Sequence, residues 1–230
     1  MFTQLKQSVF DGNLELVRHG LVVLTWGNVS GVDRGRGVVA IKPSGVPYDT
    51  LKPADIVVVR LADGVVVDGV LRPSSDLPTH LELYRAWPEI GGVVHTHSTF
   101  ATAFAQARME IPCLGTTHAD HFNGAVPLAR LLAEAEVADD YETNTGRSIV
   151  ERFDSLRPAH FPGVLCAGHG PFTWGATSAK AVENAVALEE IARMAQLTMS
   201  LSPTPGTLPA HILGKHFSRK HGKDAYYGQK

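Results

Sequence analysis

A chain of 230 residues, 44% of them hydrophobic, is long and apolar enough to bury one substantial core, so one domain over residues 1–230 is expected. Its formal net charge of -2 gives no general electrostatic basis for binding nucleic acid or an anionic membrane, and no apolar run approaches the length of a membrane span. The opening Met1–Lys6 lacks the charged-then-apolar layout of a signal peptide, and Cys113 and Cys166 fall in no CxxC or disulfide-dense pattern, so a reducing cytoplasm is the expected home.

Leu5, Val9, Leu16 and Val17 recur at roughly helical spacing, and Gly20 supplies a stop, predicting a packing helix over residues 3–19. Val22–Leu24 then runs into Thr25-Trp26-Gly27-Asn28-Val29-Ser30. Gly27 and Asn28 suit a plain turn or a close approach of backbone to a ligand. Asp33–Gly37 reads as a hairpin loop before a strand Val38–Ile41. In Lys42-Pro43-Ser44-Gly45 the backbone N–H groups, a hydroxyl and a positive charge could hold a phosphate, although Pro-Ser-Gly is also ordinary turn chemistry. A second hairpin is expected from residues 56–60 and 65–68 around Asp63-Gly64.

Ser74-Ser75-Asp76 precedes Leu77–Tyr84 as a helix start, with Ser75 or Asp76 as the expected cap; a helix N-terminus beside hydroxyls also suits an anion. Next comes the stretch that organises the chain, Gly91–Ser98. It reads as a short strand, on which side chains alternate faces, so His95 and His97 are expected to point the same way. Two imidazoles on one rigid strand can take two positions around one metal ion, and such sites need a third and usually a fourth ligand. Asp76 and His169, each in a Gly/Pro/Ser-rich turn, are the candidates, and the resulting donor set suits Zn or another divalent ion.

Ser98 is the expected cap of a helix from about Thr99 to Ala107. Thr116–Phe122 gathers titratable groups in what reads as a loop, a candidate for proton transfer. A short helix is predicted over residues 147–156 and a buried strand over 162–167, delivering His169 from its end. A long helix from about Ala179 to Ser200 is expected to turn Val182, Val186 and Met194 to the core. Residues 203–209 form a Pro-rich connection. The basic, aromatic tail His216–Tyr227 reads, on physics alone, as a solvated terminus.

Six separated motifs and the chain end together resemble the class II aldolase/adducin family, in particular its sugar-phosphate 4-epimerases. They are Leu24–Ser30, Ile41–Val46, Pro73–Asp76, Val94–Ser98, Gly115–Asp120, Gly168–Phe172 and Ala225–Gln229. The resemblance implies a three-layer α/β/α sandwich around a mostly antiparallel sheet, assembled as a four-fold homotetramer with active sites at subunit interfaces. It implies Zn (Mn or Co as alternatives) on Asp76, His95, His97 and His169. Ser44, Gly45, Ser74 and Ser75 would hold a phosphate with Lys42 nearby, and Gly27 and Asn28 would face the substrate. Asp120 and Tyr227 would be an acid/base pair reaching a neighbouring subunit's metal site, with His216 also facing it. Cys166-Ala167-Gly168, where a bulkier residue or hydroxyl is familiar, is a local departure that leaves His169 in place.

The implied activity is interconversion of L-ribulose 5-phosphate and D-xylulose 5-phosphate by cleavage and re-formation of the C3–C4 bond. Three rivals stand beside it. A class II aldolase of the fuculose-1-phosphate type carries Glu where this chain has Asp76. An adducin-like structural module need not keep the metal ligands. A zinc hydrolase lacks support from any HExxH motif.

Overall fold

The structure, a computed structural model, describes residues 2–223 and 225–228; Gln229 of the terminal motif lies outside the described residues. The strands are β1 (Asn28–Asp33), β2 (Val38–Ile41), β3 (Val57–Arg60), β4 (Val66–Asp68), β5 (Gly92–His95), β6 (Leu128–Ala129), β7 (Gly163–Cys166) and β8 (Pro171–Gly175). They form one sheet in the order β4-β3-β2-β1-β5-β8-β7-β6, antiparallel throughout except for the β6–β7 pair. The helices are α1 (Thr3–Arg18), α2 (Leu77–Ala86), α3 (Thr99–Ala107), α4 (Thr116–Ala119), α5 (Glu134–Arg152), α6 (Ser178–Leu201) and α7 (Ala210–His221).

Alternation along the strands builds a core on each face of the sheet. Val39, Ile41, Val57, Val59, Val93 and Trp174 meet Leu81, Tyr84 and Ile149 of α2 and α5 on one side. Their neighbours Val38, Ala40 and Val58, with Val29 and Val94, face α1 and α6 on the other. Helix α3 lies beside α6 on that second face, where Phe104 and Leu188 share a cluster. The three-layer α/β/α expectation holds. Each fully buried large aliphatic or aromatic side chain adds about 1.5–3 kcal/mol, so the two faces together account for the fold's stability in kind.

Several local expectations need correction. Thr116–Ala119 is a helical turn, not a loop, and α5 begins at Glu134 rather than near residue 147. A non-helical break at Asp140 and the poor helix formers Thr143, Thr145 and Gly146 hide its first half in the sequence. The tail is not solvated along its length, because residues 210–221 form α7, which rests on α4. Met194 is 40% exposed, while Val182 is buried as expected. Neither Asp76 nor Ser98 caps its helix with a side-chain bond. At α3 the role passes to Glu189 of α6, whose carboxylate accepts from the N–H groups of Phe100 and Ala101 at 2.8 and 2.9 Å. That contact fixes the start of α3 just beyond His97.

Candidate active site

Three adjacent strands bring the central residues to one end of the sheet. In the β1–β5 ladder Asn28 stands opposite His95, and in the β5–β8 ladder His95 stands opposite Phe172. His169 comes from the turn joining β7 to β8, which closes when Cys166 N–H donates to Gly170 C=O at 2.9 Å. Strand β5 ends at His95, so His97 lies just past it, yet the rings still converge as the alternation predicts. Ring centroids are 4.9 Å apart for His95–His97, 4.7 Å for His95–His169 and 5.0 Å for His97–His169.

One donor nitrogen from each ring lies within 4.8 Å of the other two, a spacing that could bind a metal. The tautomer of His95 is fixed by its neighbour: Nδ1–H donates to the Pro171 carbonyl at 3.0 Å, leaving the Nε2 lone pair facing Nε2 of His97 at 3.1 Å. Phe172 stacks on the His95 ring at 4.2 Å and holds its plane. Burial, with His95 and His97 beside it, pushes His169 down to about 4, and burial with His95 likewise lowers His97. His97 and His169 are therefore neutral at ordinary pH, the form in which imidazole is a ligand.

Asp76 faces the same cavity but is not part of that close three-ring group. Its Oδ2 accepts from the Asn28 amide at 2.6 Å and from the Ser74 hydroxyl at 3.4 Å. Burial opposes its charge, but His95, His80, the Asn28 amide and His169 outweigh that cost and hold the carboxyl below its usual range. Behind it His80 is fully buried and pushed down to about 3, with Nδ1 2.7 Å from the Ser30 hydroxyl.

The phosphate candidates are assembled by a short clip. Ser44 N–H donates to Arg72 C=O and Ser74 N–H to Lys42 C=O, both at 3.0 Å, so the Lys42–Gly45 and Ser74–Ser75 turns lie side by side. Lys42 is 1% exposed, and its ammonium donates to Val46 C=O at 2.6 Å, above the Tyr48 ring at 4.7 Å. Burial pushes it down to about 8. Gly27 carries φ +112°, and a Cβ there would meet the His95 carbonyl oxygen and Val22 Cγ1, each at 2.9 Å. Only glycine lets this loop approach the end of β5 so closely.

The resulting cavity, about 650 Å³, is lined by Gly27, Asn28, Lys42, Ser44, Gly45, Ser74, Ser75, Asp76 and the imidazole triad. Tyr141 and Glu142 line it too, and neither was singled out in the sequence. Tyr141 places its hydroxyl 3.3 Å from His169 Nδ1. A Tyr-Glu pair in a polar run carries no periodic or motif signal, and this one directly follows the break at Asp140.

Asp120, His216 and Tyr227 do not line this cavity. They form a second cluster where α7 meets α4: Arg219 and His216 donate to the Asp120 carboxylate, and Tyr227 lies against Arg219 and Lys220.

Comparison with known proteins sharpens the picture. A family model described as the class II aldolase and adducin N-terminal domain matches residues 7–196. Proteins named L-ribulose-5-phosphate 4-epimerase UlaF from Salmonella paratyphi B and Salmonella typhi are each 56% identical over 227 residues, 99% of both chains. Among solved structures, an L-fuculose 1-phosphate aldolase aligns with TM-score 0.79 and 26% identity, covering 94% of this chain and 96% of its own. The Klebsiella pneumoniae protein YgbL, titled a putative aldolase/epimerase/decarboxylase, aligns with TM-score 0.74 and 23% identity over 92% of this chain and 97% of its own, sharing the fold.

Proposed function

Since the chain belongs to the class II aldolase and adducin family, we propose that it is an L-ribulose-5-phosphate 4-epimerase, interconverting L-ribulose 5-phosphate and D-xylulose 5-phosphate. The observation that carries this reading is 56% identity, sustained over 99% of both chains, to relatives bearing that name. An aldolase acting on fuculose 1-phosphate is the second reading, favoured by the structural likeness at TM-score 0.79. Asp76, where such aldolases carry Glu, argues for the epimerase.

In this reading His95, His97, His169 and Asp76 hold Zn2+, with Mn2+ or Co2+ as alternatives, since the affinity order alone does not choose between them. The three converging ring nitrogens and the ionised Asp76 fit such a group. Lys42, Ser44, Gly45, Ser74 and Ser75 hold the phosphate, and Gly27 and Asn28 face the sugar. The hydrogen on C4 is not acidic, so inversion there is easier by cutting C3–C4 than by removing it. A bound divalent cation supplies positive charge opposite the negative charge that develops on the C2 and C3 oxygens, a contribution of roughly several kcal/mol.

The chain's own groups do the rest. One of Asp120 and Tyr227 takes the C4 hydroxyl proton as the bond breaks to an aldehyde. The phosphate turns retain that aldehyde while it rotates. After re-addition to its other face, the second group returns a proton to the new C4 alkoxide. Two proton-handling groups on opposite faces suit this sequence.

Asp120, His216 and Tyr227 lie apart from their own chain's cavity, which supports their serving a neighbouring subunit in a homotetramer. Exposed Val65, Val66, Val67, Val70 and Leu71, on and beside the edge strand β4, offer an apolar surface for such assembly. Among the described residues no helix is long and apolar enough to cross a membrane, and we place the protein in the cytoplasm. Incubating the metal-loaded protein separately with L-ribulose 5-phosphate and L-fuculose 1-phosphate tests the assignment. The proposal expects D-xylulose 5-phosphate from the first and little cleavage of the second. The reverse preference would make it an aldolase.

A further inference from the structure

Among the described residues, Arg219 is the one side chain that touches both proposed proton-handling elements. Its Nε and Nη2 donate to the two oxygens of Asp120 at 2.9 and 2.5 Å, a two-pronged contact that fixes the carboxylate's plane as well as its position. Its backbone carbonyl accepts from the N–H groups of Tyr226 and Tyr227 at 3.0 and 3.1 Å, and its guanidinium lies 4.9 Å from the centre of the Tyr227 ring. The last turn of helix α7 is thus tied to the residue that ends α4, and the tail beyond it folds back onto the same residue.

We propose that Arg219 is the positioning residue that sets Asp120 and Tyr227 in register with one another, so that the proton taken on one face of the substrate and the proton returned on the other are handled at a fixed separation. The inference rests on the epimerase reading of those two residues. Lysine could not do the same. Its ammonium is a point charge without the planar fork that engages both carboxylate oxygens.

The electrostatics agree with the geometry. Burial opposes the charge on Asp120, but the hydrogen bonds from Arg219 and His216 and the charges of Arg219 and Lys220 hold its carboxyl below the usual range. His221 on α7 donates to its backbone carbonyl at 2.9 Å, with His118 of α4 before it and His121 after it in the chain. Asp120 therefore stands ionised, ready to accept a proton.

The test compares Arg219→Gln, Arg219→Lys and Asp120→Asn in the metal-loaded enzyme, reading kcat and KM for L-ribulose 5-phosphate across pH together with metal content. For Arg219→Gln the expected result is a kcat lower by about ten- to a hundredfold, up to the lower end of what one acid/base group contributes, with unchanged metal content and KM. Its acid limb should move to higher pH, because the carboxylate has lost the donors that favour its charged form. Arg219→Lys should return most of the limb's position but not the full kcat. Wild-type kcat in Arg219→Gln beside an impaired Asp120→Asn would overturn the proposal, as would a loss of rate with an unmoved limb, which would mark Arg219 as a fold prop. A fully active Asp120→Asn would instead bring down the reading of Asp120 itself.

Discussion

Lys42→Met should make the ligand-free protein more stable and its catalysis worse. The residue is buried at 1% exposure, and its ammonium has a carbonyl and an aromatic face for company and is pushed from 10.5 down to about 8 by loss of water. A shift of that size corresponds to roughly 3 kcal/mol of unfavourable charge burial at pH 7. Its sign is set by linkage. With the folded pKa below the unfolded one, the cost is fully present below about pH 8 and fades as pH rises through about 10.5, above which lysine is neutral in both states. Methionine fills a similar volume without charge but loses the bond to Val46, worth about 1–2 kcal/mol. The variant should therefore gain about 1–2 kcal/mol at pH 7 and lose the advantage by pH 10 to 11. Denaturant unfolding of both proteins from pH 6.5 to 10.5 measures this difference, and KM for the sugar phosphate should rise together with it. A variant less stable than the parent at pH 7, or a difference that ignores pH, would refute the argument.

Further outcomes follow from the same geometry. His97→Ala removes one of three converging rings and should lower bound metal and turnover together; metal analysis showing full occupancy would contradict its role as a ligand. Gly27→Ala puts a side chain at φ +112° and 2.9 Å from the His95 carbonyl, so it should cost about 1–3 kcal/mol, seen as a fall of about 2–10 °C in Tm. Tyr227→Phe keeps the ring over Arg219 and Lys220 but lacks the hydroxyl; epimer formation should fall about 10²-fold or more with metal content unchanged. Fragment release measured beside it would show whether the cleavage half persists.

The central strand and its helices were legible because their patterns are local. Strand alternation in residues 91–98 placed two imidazoles on one side, and apolar spacing marked α1 and α6 to within a residue or two. The turns carrying Lys42, Ser44, Ser74 and Asp76 were legible as turns, but their adjacency arises from a two-segment clip that joins positions some thirty residues apart. Strands β6 and β8 were not marked at all. β8 is only five residues between Pro171 and Gly175, too short to show a period, and two residues of β6 carry none.

The caps show tertiary structure overriding local chemistry. Ser98 is a fine cap in isolation, yet Glu189 reaches across from α6 to take the free N–H groups of α3. Asp76 is drawn away from its helix by the Asn28 amide and faces the cavity instead. The same holds for the tail: residues 216–227 look solvated until the Arg219–Asp120 contact, ninety-nine positions apart, anchors them. Tyr141 and Glu142 were invisible for the related reason that they follow a break in α5, where both line the cavity and Tyr141 meets His169.

The central claim is that C4 is inverted by opening and closing the C3–C4 bond within one cavity. Turnover of L-ribulose 5-phosphate in D2O, followed by NMR of the product, tests it most directly. The account predicts D-xylulose 5-phosphate that retains protium on C4, because that hydrogen travels with the aldehyde and never leaves its carbon. Deuterium at C4 would contradict it by showing that the C4 hydrogen itself is removed, and net release of glycolaldehyde phosphate as the main product would contradict it by showing a cleavage that does not close.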